Sequence, residues 1–334
     1  MLRKIFLLVF LFATSHTLLA AEPATLSPEK MNKLMQKLRQ EQKQRELAAT
    51  EAKKKAEERR EKGLLVPREI AEKSIRLERD EKGKPAAMYT SIIRMTKKNK
   101  RGRTLTVDLI GAVHIADKEY YKKLTQIFRS YSRVLFEMVI DKSNLKNGRI
   151  RGGGKTKDGG QSLLGWSQAT IASYLELVHQ LTEINYSTRN FVHADMSTDQ
   201  LKEAMKNRGE SIWSLMFRNA MNQQGGENAP SDAEVLAALF SPNRAKLLKG
   251  IFAAQLANVD SSINLFGDGD ESAIIHDRND AALKVLDAYL RRGYRKLALF
   301  YGAAHLPDFV LKLEKRGFKM QDEVRWIKAW DLKE

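Results

Sequence analysis

Two histidines stand in the same local setting, each three positions after a glycine that closes an apolar run: Gly111-Ala112-Val113-His114 and Gly302-Ala303-Ala304-His305. In an open α/β sheet, ligands collect beyond the carboxyl ends of the strands. A glycine there lets the chain turn sharply and approach another backbone closely. The histidine that follows can present a neutral imidazole to a metal, or act as an acid or base near neutral pH. A third candidate is Glu137, within Leu135-Phe136-Glu137-Met138-Val139. A carboxylate among apolar neighbours is costly unless a cation pairs with it. That cation is either a metal held by His114 and His305 or the guanidinium of Arg278. Two histidines and a carboxylate are a common set for zinc or another transition metal, leaving a position for water. Such a water is a nucleophile at neutral pH, and Arg278 would stabilise the oxyanion it creates. Two alternatives use the same residues: a histidine serves as general base without metal, or the histidines cap their turns and Glu137 forms a structural salt bridge with Arg278.

The elements around these residues define an α/β fold with a mixed, largely parallel sheet. Residues 88–95 and 104–110 are rich in β-branched side chains, and Asn99 and Gly102 between them predict a hairpin. The first Gly-x-x-His follows, then a helix over 117–131 and an apolar strand over 134–140, which together make a β-α-β unit. The C-terminal section repeats the pattern: helix 277–292, strand 296–301, the second Gly-x-x-His, helix 308–316 and a final strand over 324–330. Two strand-GxxH-helix units in one chain imply that both histidines reach one place.

Between them, residues 165–260 read as a helical insertion over the sheet. Helical periodicity covers 168–183 and 244–259, a short strand covers 190–196, and capping boxes fall at Ser197 with Gln200 and Ser231 with Glu234. Gly152-Gly153-Gly154-Lys155-Thr156 suggests a phosphate loop, but Arg149 stands where that motif needs glycine, so 142–162 reads as a surface loop. The acidic 264–271 segment lacks the ligand spacing of a calcium-binding loop. Of the remaining histidines, His179 reads as structural on a helix face, His193 with Asp195 as supporting groups at the sheet edge, and His276 as a neighbour of Arg278.

Arg3 and Lys4 precede a short apolar run, and Ala20 and Ala21 follow it, so 1–21 reads as a signal peptide and the chain as periplasmic or secreted. A retained N-terminal anchor is the alternative. Residues 22–66 form a charged helical arm, and 67–334 form the α/β domain. No cysteine is present, which excludes disulfides and thiolate metal ligands. The net charge of +17 favours anionic surfaces such as the cell envelope, with the basic arm as the contact. The arm mixes lysine with glutamate and carries no aromatic residues to stack on bases, so no specific nucleic-acid partner is expected.

At these residues the sequence resembles the TraB/GumN family, which includes the Tiki proteases. The matching features are Gly111 to His114 followed by Tyr120-Tyr121 and Leu124, Val134-Leu135-Phe136-Glu137, Arg278-Asn279, and Tyr301-Gly302-Ala303-Ala304-His305-Leu306. Asp277 stands where family members often carry Glu. The resemblance implies a fold like that of the erythromycin esterase and ChaN-type proteins, and metal-dependent peptidase activity as in the Tiki branch. His114, Glu137 and His305 are then metal or catalytic positions, and Arg278 with Asn279 the family's Arg-Asn pair. The resulting expectation is an exported hydrolase that uses a divalent ion of the Mn, Co or Zn class on a peptide or small-molecule substrate. The rivals are a metal-free hydrolase with a histidine base and a binding or sequestering protein that uses the same cleft.

Overall fold

A computed structural model of the chain describes residues 53–146, 149–150, 177–207, 243–257 and 273–333, with isolated positions 47, 50, 51, 175, 237, 238 and 241. The expected signal peptide, the 152–160 stretch, the Ser231–Glu234 box and the 264–271 segment lie outside the described residues. The strands are β1 (Ile75–Arg79), β2 (Pro85–Lys98), β3 (Thr104–Ala112), β4 (Ile115–Ala116), β5 (Arg133–Phe136), β6 (Leu145–Lys146), β7 (Arg149–Ile150), β8 (Val178–His179), β9 (Phe191–His193), β10 (Lys296–Gly302) and β11 (Lys319–Asp331). Seven of them form one sheet in the order β1-β2-β3-β10-β5-β9, with β11 also pairing β2. The architecture is mixed α/β around a mostly parallel sheet, as the sequence pattern predicts.

The predicted hairpin joins β2 to β3 as an antiparallel pair. Its turn is closed by the Asn99 carboxamide oxygen, which accepts the N–H groups of Arg101 and Arg103 at 3.0 Å each, and by Gly102 at φ 70°. Beyond it, β3, β10, β5 and β9 are all parallel, so their carboxyl ends share one side. Strand β10 is central among them, and Leu297 to Tyr301 are all buried. Covering layers on both faces explain this continuous apolar run.

Side-chain alternation assigns the faces. Ala298, Phe300, Val134 and Phe136 face a core that includes Tyr120, Tyr121, Leu124 and Phe128 of the Lys118–Phe128 helix. Leu297, Leu299, Tyr301 and Leu135 face the other core, which takes in Ala282, Leu283 and Leu286 of the Arg278–Arg291 helix and Phe309, Val310 and Leu313 of the Leu306–Lys315 helix. By the same alternation Glu137, two positions after Leu135, points to the side of the Arg278 helix.

Three boundaries differ from the sequence reading. The Pro67–Glu72 helix, which buries Ile70, and strand β1 precede the first expected strand. Their short, charge-rich sequences hide them from a periodicity search. The helical residues at 53–61 are not simply a solvated arm. Arg59 donates to the Leu65 carbonyl and to the Glu314 carboxylate at 2.7 Å, which fastens the arm's end to the Leu306–Lys315 helix. The third difference concerns 178–183, which are β8 and a short Gln180–Glu183 helix. Of the insertion's expected elements, the Ser197–Gln200 capping box forms and starts the Thr198–Asn207 helix. The Arg244–Ala257 helix buries Leu248 and Ala253 in the same core as the Lys118–Phe128 helix. Among the described residues no helix is long and apolar enough to cross a membrane.

Candidate active site

Each of the four parallel strands releases one polar residue just past its carboxyl end: His114 after β3, Glu137 after β5, Asp195 after β9, and His305 after β10. Register aligns them, since Tyr301 pairs Gly111 and Phe300 pairs Phe136 across the sheet. Glu137 is therefore not inside a strand, as the sequence suggested, but one residue beyond β5, where its N–H still donates to the Phe300 carbonyl at 3.0 Å. Ending the strand there frees the carboxylate to turn toward β10.

Glu137 is the centre of the cluster. Its Oε1 accepts from Arg278 Nη2 at 2.7 Å, and its Oε2 accepts from the Gly302 N–H at 2.6 Å. Arg278 also donates to Asp195, from Nε at 3.0 Å and Nη2 at 2.6 Å. One guanidinium thus bridges two nearly buried carboxylates, since Asp195 is fully enclosed and the Glu137 side chain is 13% exposed. Burial alone would raise the Glu137 carboxyl, but the Arg278 charge and the Gly302 N–H outweigh it and hold it well below the usual carboxylate range. Arg278 is lost into burial as well, yet Glu137 and Asp195 raise its pKa above the usual arginine value. With three hydrogen bonds committed to carboxylates, Arg278 orients Glu137 and Asp195.

His305 closes a one-turn 3-10 helix, Ala303–His305, and its ring packs edge-on against Tyr301 at 5.1 Å. Its Nδ1 is 2.6 Å from the Asn279 carboxamide oxygen, and its Nε2 lies 3.6 Å from Glu137 Oε1. Burial pushes the imidazole down to about 4, against the pull of Glu137, so the ring is neutral at pH 7. Asn279 in turn donates to the His305 carbonyl and to Asp308. The helix carrying Arg278 and Asn279 is entered through a π-helical turn, Ala273–Asp277, a distortion that recurs at functional sites.

His114 is different. Its side chain is exposed, and its carbonyl accepts from the Gln180 N–H at 2.8 Å. The turn itself is held by tyrosines: Tyr120 donates to the Gly111 carbonyl at 3.1 Å and Tyr121 to the Val113 carbonyl at 2.9 Å. His114 lies within electrostatic reach of both Glu137 and His179.

Searches against protein-family models, curated proteins and solved structures each found no match. The site therefore rests on its own geometry. The structure brings Glu137, His305, Arg278 and Asn279 into one bonded cluster and leaves His114 at its rim. Among the described residues, no three His, Asp or Glu side chains are grouped closely enough to hold a metal ion.

The other histidines take supporting positions. His179 caps the Gln180–Glu183 helix, its Nδ1 accepting the Leu181 N–H at 3.1 Å, so it stands beside His114 rather than on a helix face. His193 Nε2 meets the Met138 carbonyl at 2.6 Å and steadies the chain after Glu137. His276 lies beside Asp308, with Nδ1 3.4 Å from its Oδ1. Sequence reasoning reached Asp195 only as a supporting group and missed Asp308. The spacing of Asp308, three residues after His305 on the same helical turn, is the available signal.

Proposed function

We propose that the chain is an exported hydrolase of the TraB/GumN type, acting on a peptide or small-molecule substrate, with a divalent ion of the zinc, manganese or cobalt class at the Glu137–His305 pair. The observation that carries this reading is a mismatch. Asn279 Oδ1 stands 2.6 Å from His305 Nδ1, and with the ring proton on that nitrogen a neutral, buried imidazole turns its Nε2 lone pair to Glu137 Oε1, 3.6 Å away. Two acceptors facing one another without a proton between them favour a cation. His305 and Glu137 would supply two ligands; His114 stands at the rim, not grouped with them closely enough as it lies, and would have to turn inward to supply the third. A bound ion would supply a nucleophilic water and polarise the scissile carbonyl.

The protein's own residues set the geometry for that chemistry. Arg278 and the Gly302 N–H fix the Glu137 carboxylate and keep it ionised. Tyr301 and Asn279 fix the His305 ring. The first turn, held by Tyr120 and Tyr121 through its backbone, leaves the His114 side chain to meet solvent and substrate.

One observation favours the metal-free alternative with His305 as general base: both Glu137 oxygens already accept strong hydrogen bonds, and the Arg278 charge beside them opposes a second cation. The two readings part in one experiment. Metal-stripped protein is melted with zinc, manganese or cobalt alone, then assayed on a peptide library with and without chelator. The metal reading requires a higher Tm, reflecting about 2.7 kcal/mol of added stability at a hundredfold excess over Kd, lost in His305→Ala and His114→Ala. It also requires turnover that disappears in chelator and in Glu137→Gln. Turnover that survives chelator but not His305→Gln selects the metal-free reading. Ligand capture without turnover would overturn both and leave a binding protein.

A further inference from the structure

Behind His305 a hydrogen-bond chain runs through Asn279 to Asp308, whose other oxygen lies 3.4 Å from His276 Nδ1. Asn279 Nδ2 donates to Asp308 Oδ2 at 2.7 Å and to the His305 carbonyl at 3.1 Å. Lys312 Nζ sits 3.2 Å from the same Asp308 oxygen and 2.6 Å from Asp280, so the carboxylate is charge-compensated from behind. Asn279, His305, Asp308 and Lys312 are all buried.

The chemistry of this chain has only one orientation. A carboxylate and a backbone carbonyl accept hydrogen bonds and cannot donate them, so the end of the Asn279 amide that faces both must be the NH2 group. The other end is then an oxygen, 2.6 Å from His305 Nδ1, and it can only accept. The neutral ring must carry its proton on Nδ1 and leave a lone pair on Nε2. Reversing the amide would reverse everything downstream: NH2 would donate to Nδ1, and an Nε2–H would face Glu137 Oε1 across 3.6 Å. At the Glu137 end that second arrangement is better, since it replaces two facing acceptors by an N–H directed at a carboxylate, an attraction across 3.6 Å though not a hydrogen bond. It fails at the other end, where the amide oxygen would face Asp308 Oδ2 and the His305 carbonyl.

We propose that Asp308, backed by Lys312, is a positioning residue that decides which nitrogen of His305 holds the proton, and so keeps the Nε2 lone pair directed at Glu137. The inference rests on the reading of that lone pair as the working group of the site. Its test reads the ring itself, so it can fail while the hydrolase reading stands, and the reverse.

The full chain is labelled with ¹⁵N-histidine and its ring nitrogens are followed by NMR in chelating buffer at neutral pH, with His305→Gln identifying the signal. The native protein is expected to show His305 protonated on Nδ1. Asp308→Asn keeps an acceptor oxygen toward Asn279 and should preserve that state. Asp308→Leu removes the acceptor at similar volume and should move most of the proton population to Nε2. Asp308→Ala takes its place if that variant does not fold. An Nε2–H ring or a doubly protonated ring in the native chain overturns the proposal, and so does retention of Nδ1–H once the Asp308 acceptor is gone. A purely structural role for Asp308 would lower the Tm in both the Leu and the Asn variants and leave the tautomer unchanged.

Discussion

The two Gly-x-x-His turns leave adjacent parallel strands in matched register, but they are built in opposite ways. In the first, hydrogen bonds from Tyr120 and Tyr121 hold the backbone carbonyls of Gly111 and Val113, and the His114 imidazole is left exposed. In the second, the imidazole itself is held, with His305 buried between Asn279, Tyr301 and Glu137. The glycine spacing fixes where each histidine starts. Neighbours remote in sequence decide whether the ring becomes an adaptable rim group or a fixed, oriented one. A site with one of each can hold a reacting group rigidly from one side and admit a substrate from the other.

If the second turn depends on its buried charges, removing their bridge should have the largest effect. Arg278→Ala leaves Glu137 and Asp195 enclosed without their guanidinium, and a loss of about 3–5 kcal/mol in denaturant unfolding is expected. A loss below about 1 kcal/mol would mean that the cluster does not hold this turn, and the contrast with the first turn would weaken. The histidines sharpen it further. His305→Ala strips the donor from the buried Asn279 oxygen and should cost about 1–3 kcal/mol. His114→Ala, at an exposed position, should stay within about 0.5 kcal/mol. Under the proposed function both variants lose turnover, so stability and activity separate at His114 and fall together at His305.

The turns also show how far sequence could lead. Apolar runs, glycine punctuation and capping signals made the parallel strands, the hairpin and the flanking helices legible, because each is a local pattern read within one element. The convergence of Glu137, Arg278 and His305 was legible from cost: a carboxylate in apolar surroundings has to find a cation. The point where β5 stops was not legible, because Met138 and Val139 are as apolar as the strand before them and only the tertiary setting ends the pairing. The Asp308–Asn279–His305 chain was invisible for a related reason. His305 and Asn279 stood out, but Asp308 is unremarkable in its own helix, and the amide orientation that links the three exists only once the two helices pack. His179 was misplaced because its apolar neighbours mimic helical spacing, whereas β4 and β8 pair there.

The glycines give a smaller and more local contrast. A Cβ on Gly111 would lie 3.2 Å from Leu306 Cδ2 and 3.3 Å from the Ser91 carbonyl oxygen, so the backbone of β2 would have to yield. Gly111→Ala is expected to cost about 1–3 kcal/mol. On Gly302 the nearest atom would be Glu137 Oε2 at an ordinary 3.4 Å, and Gly302→Ala should cost less than about 1 kcal/mol. The order of the two midpoints in urea tests whether the first turn is set by close packing and the second by charge. Equal losses would remove that distinction.

The mildest effect is acid sensitivity of the buried turn. Burial lowers His305 from 6.5 to about 4 in the folded chain. Between those values the unfolded chain binds the proton more readily, so stability is full above about pH 6.5 and declines as pH falls toward 4. His179, also lowered to about 4 by burial, adds to the same window. Glu137 is shifted the other way relative to its charge: its folded carboxyl is depressed, so its contribution is present above its ordinary value of 4.5 and is lost only below that. Melting temperatures should therefore fall first through the histidine window and again in stronger acid. About 1 kcal/mol per group should be lost between pH 7 and pH 5.5. His305→Gln should flatten the first decline without abolishing it, because His179 and His193, both lowered by burial, still titrate there, and His179→Gln in the same chain should flatten it further. A first decline unchanged by His305→Gln would show that this imidazole is not held neutral by the fold, and the distinction between a fixed and an adaptable histidine would then have to rest on its hydrogen bonds alone.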